Sequence, residues 1–290
     1  MREIYKIVFS PTGKSMKIAG YLAEEFKGLK QLIDLCERAD GKTERSTGIG
    51  ARRKAAERAE GAAAARNGEN APIAEGVHTD GFIYIDEEDF SIFSVPCYGG
   101  RVPKTAVERL SRINGSDTPA IVCVTFGNRA FEDSMLELAD IAEGRGFKVI
   151  GAAAVSCEHN IMHEFGKGRP DEDDKEKIRT FAHAVARKLN SGDRSRPSLP
   201  GNRPYKERHE ASIDIQVDEN TCVCCGMCAL KCPVGAISKD GKQVDKNKCI
   251  SCMRCIEICR SRSIPKEYVD ALIDRLGDAC QGRKENSFFL

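Results

Sequence analysis

The segment CVCCGMCALKCP, Cys222 to Pro233, and its second copy CISCMRCIEIC, Cys249 to Cys259, decide what the C-terminal part of this chain must build. Cys222, Cys225, Cys228 and Cys232 are separated by two, two and three residues, and Cys249, Cys252, Cys255 and Cys259 repeat the spacing. Three thiolates two residues apart can wrap three corners of an iron-sulfur cube. The fourth lies too far along the chain to close the same cube and reaches the other one. The repeat therefore predicts two 4Fe-4S clusters with crossed ligands: one on Cys222, Cys225, Cys228 and Cys259, the other on Cys249, Cys252, Cys255 and Cys232.

Zinc ribbons use pairs of cysteines and need neither a third at this spacing nor a fourth followed by proline. Disulfides do not suit a chain that opens on the apolar strand MREIYKIVF with no signal peptide before it, so a reducing cytoplasm is the expected setting. Oxygen-labile clusters beside many free thiols further suggest an anaerobe. The stretch from Ile213 to Ile264 resembles the bacterial two-cluster ferredoxins, which implies a small α+β domain over 212–264. Two departures are visible. Arg260 stands where the first copy has Pro233, and Cys224 adds a thiol beside a ligand without altering the spacing. The other cysteines, Cys36, Cys97, Cys123, Cys157 and Cys280, are scattered singly and read as small buried or partly buried residues.

At 290 residues the chain has room for about two domains, and the cysteine repeat claims only the last quarter, so a separate core must lie upstream. With 45 basic against 44 acidic residues, the net charge of +1 offers no footprint for nucleic acid. No apolar run of about twenty residues is present to span a membrane. Each four-thiolate cluster adds a charge of about −2 in its oxidised state, which makes the loaded chain mildly acidic.

Upstream, strand and helix patterns alternate. Glu3 to Phe9, Gln31 to Leu35, Phe90 to Val95, Ala120 to Phe126 and Phe147 to Val155 read as strands. Met16 to Phe26, a segment from Pro103 that stops at Asn114-Gly115, Phe131 to Glu143 and Asp171 to Leu189 read as helices. The last is the best signalled, with a stripe of Ile178, Phe181, Ala182, Val185 and Leu189, acids in its first turn and Arg187 and Lys188 near its end. Five strands with intervening helices predict an α/β fold with a parallel, doubly wound sheet, whose ligand site lies at the C-terminal strand ends. Three loops converge there. SPTGKS, Ser10 to Ser15, opens into a helix and offers hydroxyls and free backbone N–H groups to an anion. PCYGGRVP follows Val95, and FGNR follows Thr125. A phosphate cradle beside flat, aromatic or glycine-rich loops describes a flavin mononucleotide (FMN) site.

These residues resemble the flavodoxin family, and the whole chain is similar to the flavodoxin-ferredoxin fusion proteins of anaerobic bacteria and archaea. The resemblance covers Ile4 to Phe26, Phe90 to Leu189 and the cluster domain. It implies a flavodoxin-like FMN domain over 1–190, a linker over 191–211, the ferredoxin-like domain and a C-terminal helix and tail over 265–290. It also implies that Ser10, Thr12, Gly13, Lys14 and Ser15 hold the FMN phosphate and that Tyr98 stacks on the isoalloxazine. Pro96, Gly99 and Gly100 shape the loop that approaches the ring, while Thr125, Phe126, Gly127 and Asn128 line its other side. Lys14 departs from the small polar residue common at its position in flavodoxins. The implied activity is electron transfer between FMN, the clusters and redox partner proteins, with no residue marked as a substrate acid, base or nucleophile.

Two other function classes stay open. Gly13-Lys14-Ser15 has the tail of an ATPase phosphate loop, and FIYIDEE, Phe82 to Glu88, reads as a strand ending in a magnesium-binding acid. The full loop, however, needs a glycine where Val8 stands. A redox-inert interaction protein with structural clusters is the third class, and it leaves the three loops unexplained. Residues 41–80 read as a surface insertion, Ala51 to Arg66 weakly helical, whose mixed charges give no steering field. His159 and His163 read as loop residues near the flavin edge, with proton handling by His159 an alternative. The SFFL tail, Ser287 to Leu290, offers aromatics to a neighbouring domain.

Overall fold

The β-branched and aromatic runs of the first two hundred residues need both faces covered, and the chain supplies the cover by alternating strands with helices. The computed structural model describes residues 2–38, 81–208 and 213–290; the expected insertion over 41–80 and the last residues of the expected linker, 209–211, fall outside them. In chain order the upstream elements are β1 (Glu3–Val8), α1 (Lys14–Glu24), β2 (Leu29–Asp34), β3 (Ile83–Ile85), β4 (Phe90–Pro96), α2 (Lys104–Leu110), β5 (Ile113–Gly115), β6 (Thr118–Phe126), α3 (Ser134–Gly144), β7 (Phe147–Ser156) and α4 (Glu172–Asn190).

Five of these strands pair in parallel in the order β2-β1-β4-β6-β7. Counting only these five, the order is 2-1-3-4-5, the flavodoxin-like doubly wound arrangement, with its topological switch point between β1 and β4. Every residue of β4 and β6 is buried, as is all of β7 except Lys148, as expected of central parallel strands. One face carries Ile4, Val8, Phe90 and Ile92 against Ile18 and Leu22 of α1 and Ile178 and Val185 of α4. The other carries Tyr5, Ile7, Phe93 and Val122 against Leu110 of α2 and Leu138 of α3. The period-2 alternation of the strands thus sorts successive residues of β1 into opposite cores.

The helix expected to run from Pro103 to Asn114 ends at Leu110, because the buried, β-branched Ile113 leads a short strand, β5, that pairs with β3. These two form a sheet of their own at the N-terminal edge of the main sheet, where the hydroxyl of Thr118, the first residue of β6, donates to the carbonyls of Ile85 (2.7 Å) and Asp86 (3.0 Å).

The segment expected to be a tether is bound along α3. Asp133 accepts from the backbone N–H of Asn202 (2.9 Å) and Lys206 (2.7 Å), Asp140 pairs with Arg196 and Arg203, and the buried Glu137 holds both Arg101 and Arg208. The downstream elements are β8 (Gln216–Val217), α5 (Met227–Leu230), α6 (Arg254–Glu257), β9 (Arg262–Ser263), α7 (Lys266–Cys280) and β10 (Ser287–Phe289). The SFFL tail becomes β10, which pairs antiparallel with β7 and sets Phe288 on Phe181 with ring centroids 5.1 Å apart.

The two cysteine repeats share one backbone design. In each, the residues flanking the second cysteine are left-handed: Cys224 (φ 52°) and Gly226 (φ 70°) around Cys225, Ser251 (φ 49°) and Met253 (φ 63°) around Cys252. A single helical turn follows in both, α5 and α6. β8 and β9 pair antiparallel across the ends of the unit.

Candidate functional site

The cradle lies where β1 gives way to α1. Gly13, left-handed at φ 82°, caps the helix without a side-chain bond, and no acid sits in the first turn, so the positive helix end faces outward. The Ser10 hydroxyl accepts from Met16 N–H (2.9 Å) and fixes the turn. Lys14 Nζ (2.7 Å) and the Thr12 hydroxyl (3.2 Å) both donate to Asn160 Oδ1. Asn160 is a partner that sequence reasoning did not single out. Two donors converging on one acceptor at a helix start is the geometry that an anionic oxygen would use. Ser15 differs from its neighbours: it is buried, and its hydroxyl bonds the equally buried Thr125 hydroxyl (2.8 Å), bracing α1 to the end of β6.

After β4, Tyr98-Gly99-Gly100-Arg101 forms a two-residue turn closed by Tyr98 N–H to Arg101 O (2.9 Å) and Arg101 N–H to Tyr98 O (3.1 Å). Both glycines have positive φ, 57° and 88°, as this turn type demands. A Cβ on Gly100 would also collide with the Glu132 carboxylate at 1.8 Å. Pro96 is buried beneath the turn, and Tyr98 is half-buried with its hydroxyl enclosed and without a hydrogen-bond partner. Burial raises its pKa, and the Cys252 and Cys36 thiols raise it further.

The loop after β6 divides. Phe126 is buried against Phe131, and a Cβ on Gly127 would meet His159 Cδ2 at 2.6 Å. Asn128 is fully engaged away from the cradle. Its amide donates to the carbonyls of Cys280 (2.7 Å) and Gly282 (2.7 Å), and its Oδ1 accepts from the Ser156 hydroxyl (3.0 Å) and Lys284 N–H (3.3 Å). His159 is held neutral, its pKa pushed down to about 4 by burial, then by the charges of Lys14, His163 and Arg129. Its Nδ1 accepts from the N–H groups of Ile161 and Met162, both at 3.1 Å, so the lone pair that proton handling would need is already used. An open cleft of about 480 Å³ between this loop, Gly201 and Lys284 has its charges paired internally, Arg129 with Glu132 and Asp133 with the segment around Asn202.

Cys232, Cys249, Cys252 and Cys255 line one narrow cavity of about 20 Å³, whose other walls include Ile215, Ile237, Val244 and Ile250. Burial pushes the Cys252 thiol up to about 12, and the neighbouring Cys232, Cys255 and Cys249 add to the rise. Such a set is costly to ionise unless cations share the site. Among the described residues only Asp171, Asp173 and Asp174 bring three ligand-type atoms within 4.8 Å of one another. Those three surround the Arg283 guanidinium. No three cysteine sulfurs among the described residues lie within 4.8 Å of one another, wider than the roughly 3.8 Å that thiolates around one zinc ion require, and the apolar lining with its four thiols offers the donor set of an iron-sulfur core. Cys224 is exposed, at the position that Ser251 occupies in the second repeat.

This cavity abuts the switch point of the sheet. Ile250 packs against the α2/α3-side core, Arg109 donates to the carbonyls of both Leu35 and Pro233, and Arg38 lies beside Gly235. Tyr98 lies near enough to the same unit for the charge of the Cys252 thiol to add to the rise in its pKa. The acid that would have served magnesium, Asp86, follows β3 at the opposite edge of the sheet, separated from Lys14 by about the length of β6, roughly 30 Å at 3.3 Å per residue.

No protein-family model and no curated protein matches this sequence. Among solved structures the chain is similar to rubredoxin oxygen:oxidoreductase from the anaerobe Desulfovibrio gigas (16% identity, TM-score 0.39, 66% of this chain and 37% of that one). It is also similar to a flavodiiron core from Synechocystis (14%, 0.37, 66% and 36%) and to NAD(P)H:quinone oxidoreductase from Methanothermobacter marburgensis (16%, 0.32, 65% and 97%). The chain spans little more than a third of the first two. Its own strand order, and not these likenesses, identifies the fold as flavodoxin-like.

Proposed function

We propose that this chain is an electron-transfer protein that holds FMN at the cradle of β1 and α1 and two 4Fe-4S clusters on the crossed cysteine sets. When bound, FMN exchanges electrons in ones or twos and the clusters exchange them singly. The residues of the chain bind, space and insulate. Thr12, Gly13, Lys14 and the start of α1 receive the phosphate, with Ser10 and Ser15 bracing the loop. The Tyr98-Gly99-Gly100 turn forms the wall between that site and the cluster unit, and Asn128 secures the C-terminal segment. The observation that carries the proposal is the single cavity lined by Cys232 from the first repeat and Cys249, Cys252 and Cys255 from the second, set against the turn that ends β4. That juxtaposition favours transfer within one molecule between the flavin and the cluster of the second repeat, leaving the cluster of Cys222, Cys225, Cys228 and Cys259 to meet a redox partner protein.

Anaerobic purification with assay of iron, sulfide and flavin tests the cofactor content; tight, magnesium-dependent ATP binding without flavin uptake would replace this reading by the phosphate-loop one. Ligand crossing is tested by paramagnetic resonance of three cysteine-to-serine variants. Cys232→Ser should reproduce the spectrum of Cys249→Ser, and a match to Cys222→Ser would overturn the assignment.

A further inference from the structure

Arg262 is 4% exposed, yet no carboxylate among the described residues pairs with it. It is fixed in place by the pairing of β9 with β8, where it lies opposite Val217, and by Nη2, which donates to the Gly241 carbonyl. Its Nε and Nη1 are enclosed and have no hydrogen-bond partner. Buried donors of this kind are retained where something else takes their protons. A side chain at Gly241 would meet Cys228 Sγ at 3.0 Å and Arg262 Nη2 at 3.8 Å, so the guanidinium and that thiol flank the same space. The Cys255 side chain packs against the cluster of buried residues that contains Cys228. Cys228 belongs to one crossed ligand set and Cys255 to the other. The first repeat has no counterpart, because the residue three places after its fourth cysteine is Gly235.

We propose that Arg262 is a positioning residue shared by the two cluster sites: its Nε and Nη1 donate to cluster sulfurs, and its charge favours the reduced, more negative state of both clusters. The inference rests on the crossed-ligand reading above. Hydrogen bonds to the sulfurs and net charge are among the quantities that set cluster potentials, and a buried cation is screened little by salt. The step it influences is the gain of one electron by each cluster, supplied in the test by dithionite through mediators, with no covalent bond made or broken.

The experiment is an anaerobic redox titration of the full chain, followed by paramagnetic resonance, for the wild type, Arg262→Met, Arg262→Lys and the exposed control Lys246→Met, each with its iron and sulfide measured. In Arg262→Met both clusters should be at least tenfold harder to reduce at a given potential, a fall in midpoint of about 59 mV for a one-electron couple. Arg262→Lys keeps the charge but loses the fork of donors, and its midpoints should fall by less. Lys246→Met should leave both unchanged, and the Arg262 shifts should persist at high salt. If Arg262→Met does not assemble its clusters, Arg262→Lys decides. Fully loaded clusters with unshifted midpoints in the Arg262 variants would overturn the proposal. Absence of iron and sulfide from the wild type would instead overturn the crossed-ligand reading beneath it.

Discussion

Replacing Asn128 separates two roles that its place in the chain could have served. It stands in the loop where the flavodoxin resemblance expects a wall of the flavin site, yet its four hydrogen bonds all run to Ser156 and the 280–284 segment. Three of these reach the 280–284 segment, and each is worth about 0.5–1.5 kcal/mol net. Asn128→Ala should therefore release the C-terminal segment by roughly 2–4 kcal/mol, which raises the population of its detached form by a factor of about 30 to 1,000. The assay is amide hydrogen exchange across 283–289, read beside an FMN titration of the same sample. Exchange of Phe288 and Phe289 should quicken by that factor while the flavin affinity changes less than about threefold. If the flavin is lost and exchange in the tail is unchanged, Asn128 faces the ligand and the structural role is wrong.

Thr12→Asp sets a fixed anion in the cradle and should abolish flavin uptake, whereas Thr12→Ser should retain it; equal affinities in an equilibrium titration would remove the phosphate from this loop. Phe288→Ala should destabilise the upstream domain by roughly 2–3 kcal/mol, about 0.5–1.5 kcal/mol of it from the lost stacking on Phe181, seen as a lower urea midpoint. The pH dependence carries a definite sign. The folded pKa of His159, about 4, lies below its ordinary 6.5, so stability present above pH 6.5 should decline as the pH falls toward 4, and His159→Gln should flatten that decline in melting temperatures taken between pH 7 and 5. Asp171, held below the usual carboxylate range by its hydrogen bond from Arg283, contributes above about pH 4 and loses its contribution only below that window.

The sheet was legible because each central strand is a continuous apolar run and each covering helix a stripe, patterns that burial on two faces or one imposes directly. β3 was read only as part of the longer stretch Phe82 to Glu88, and β5 was not read at all, since a three-residue strand carries no period; Asn114-Gly115 looked like a helix stop because turn residues at a helix end and at the end of a short strand are the same residues. The cysteine spacing announced which thiols could share a cavity, but nothing in it revealed Arg262, whose meaning depends on what it fails to bond. In the candidate flavin site, Ser10 to Ser15 was readable because a loop and a helix start adjoin in sequence. Asn160, which completes it from the far side of the sheet, has no local signature. Asn128 shows the converse: a residue in the expected loop whose side chain turns to a segment more than 150 positions away in sequence.

The pairing of β10 with β7 bears on any attempt to isolate the upstream domain. A truncation after Asn190 would keep every parallel strand and every covering helix, but it would strip the outer edge of β7, whose residues from Val149 to Ser156 are all buried in the intact chain. An edge of that length, apolar and without charge, is a template for pairing between molecules. Such a fragment should form assemblies through that strand. A soluble version needs a grafted Ser287–Phe289 segment, joined by a short connector to α4, to occupy the bare edge.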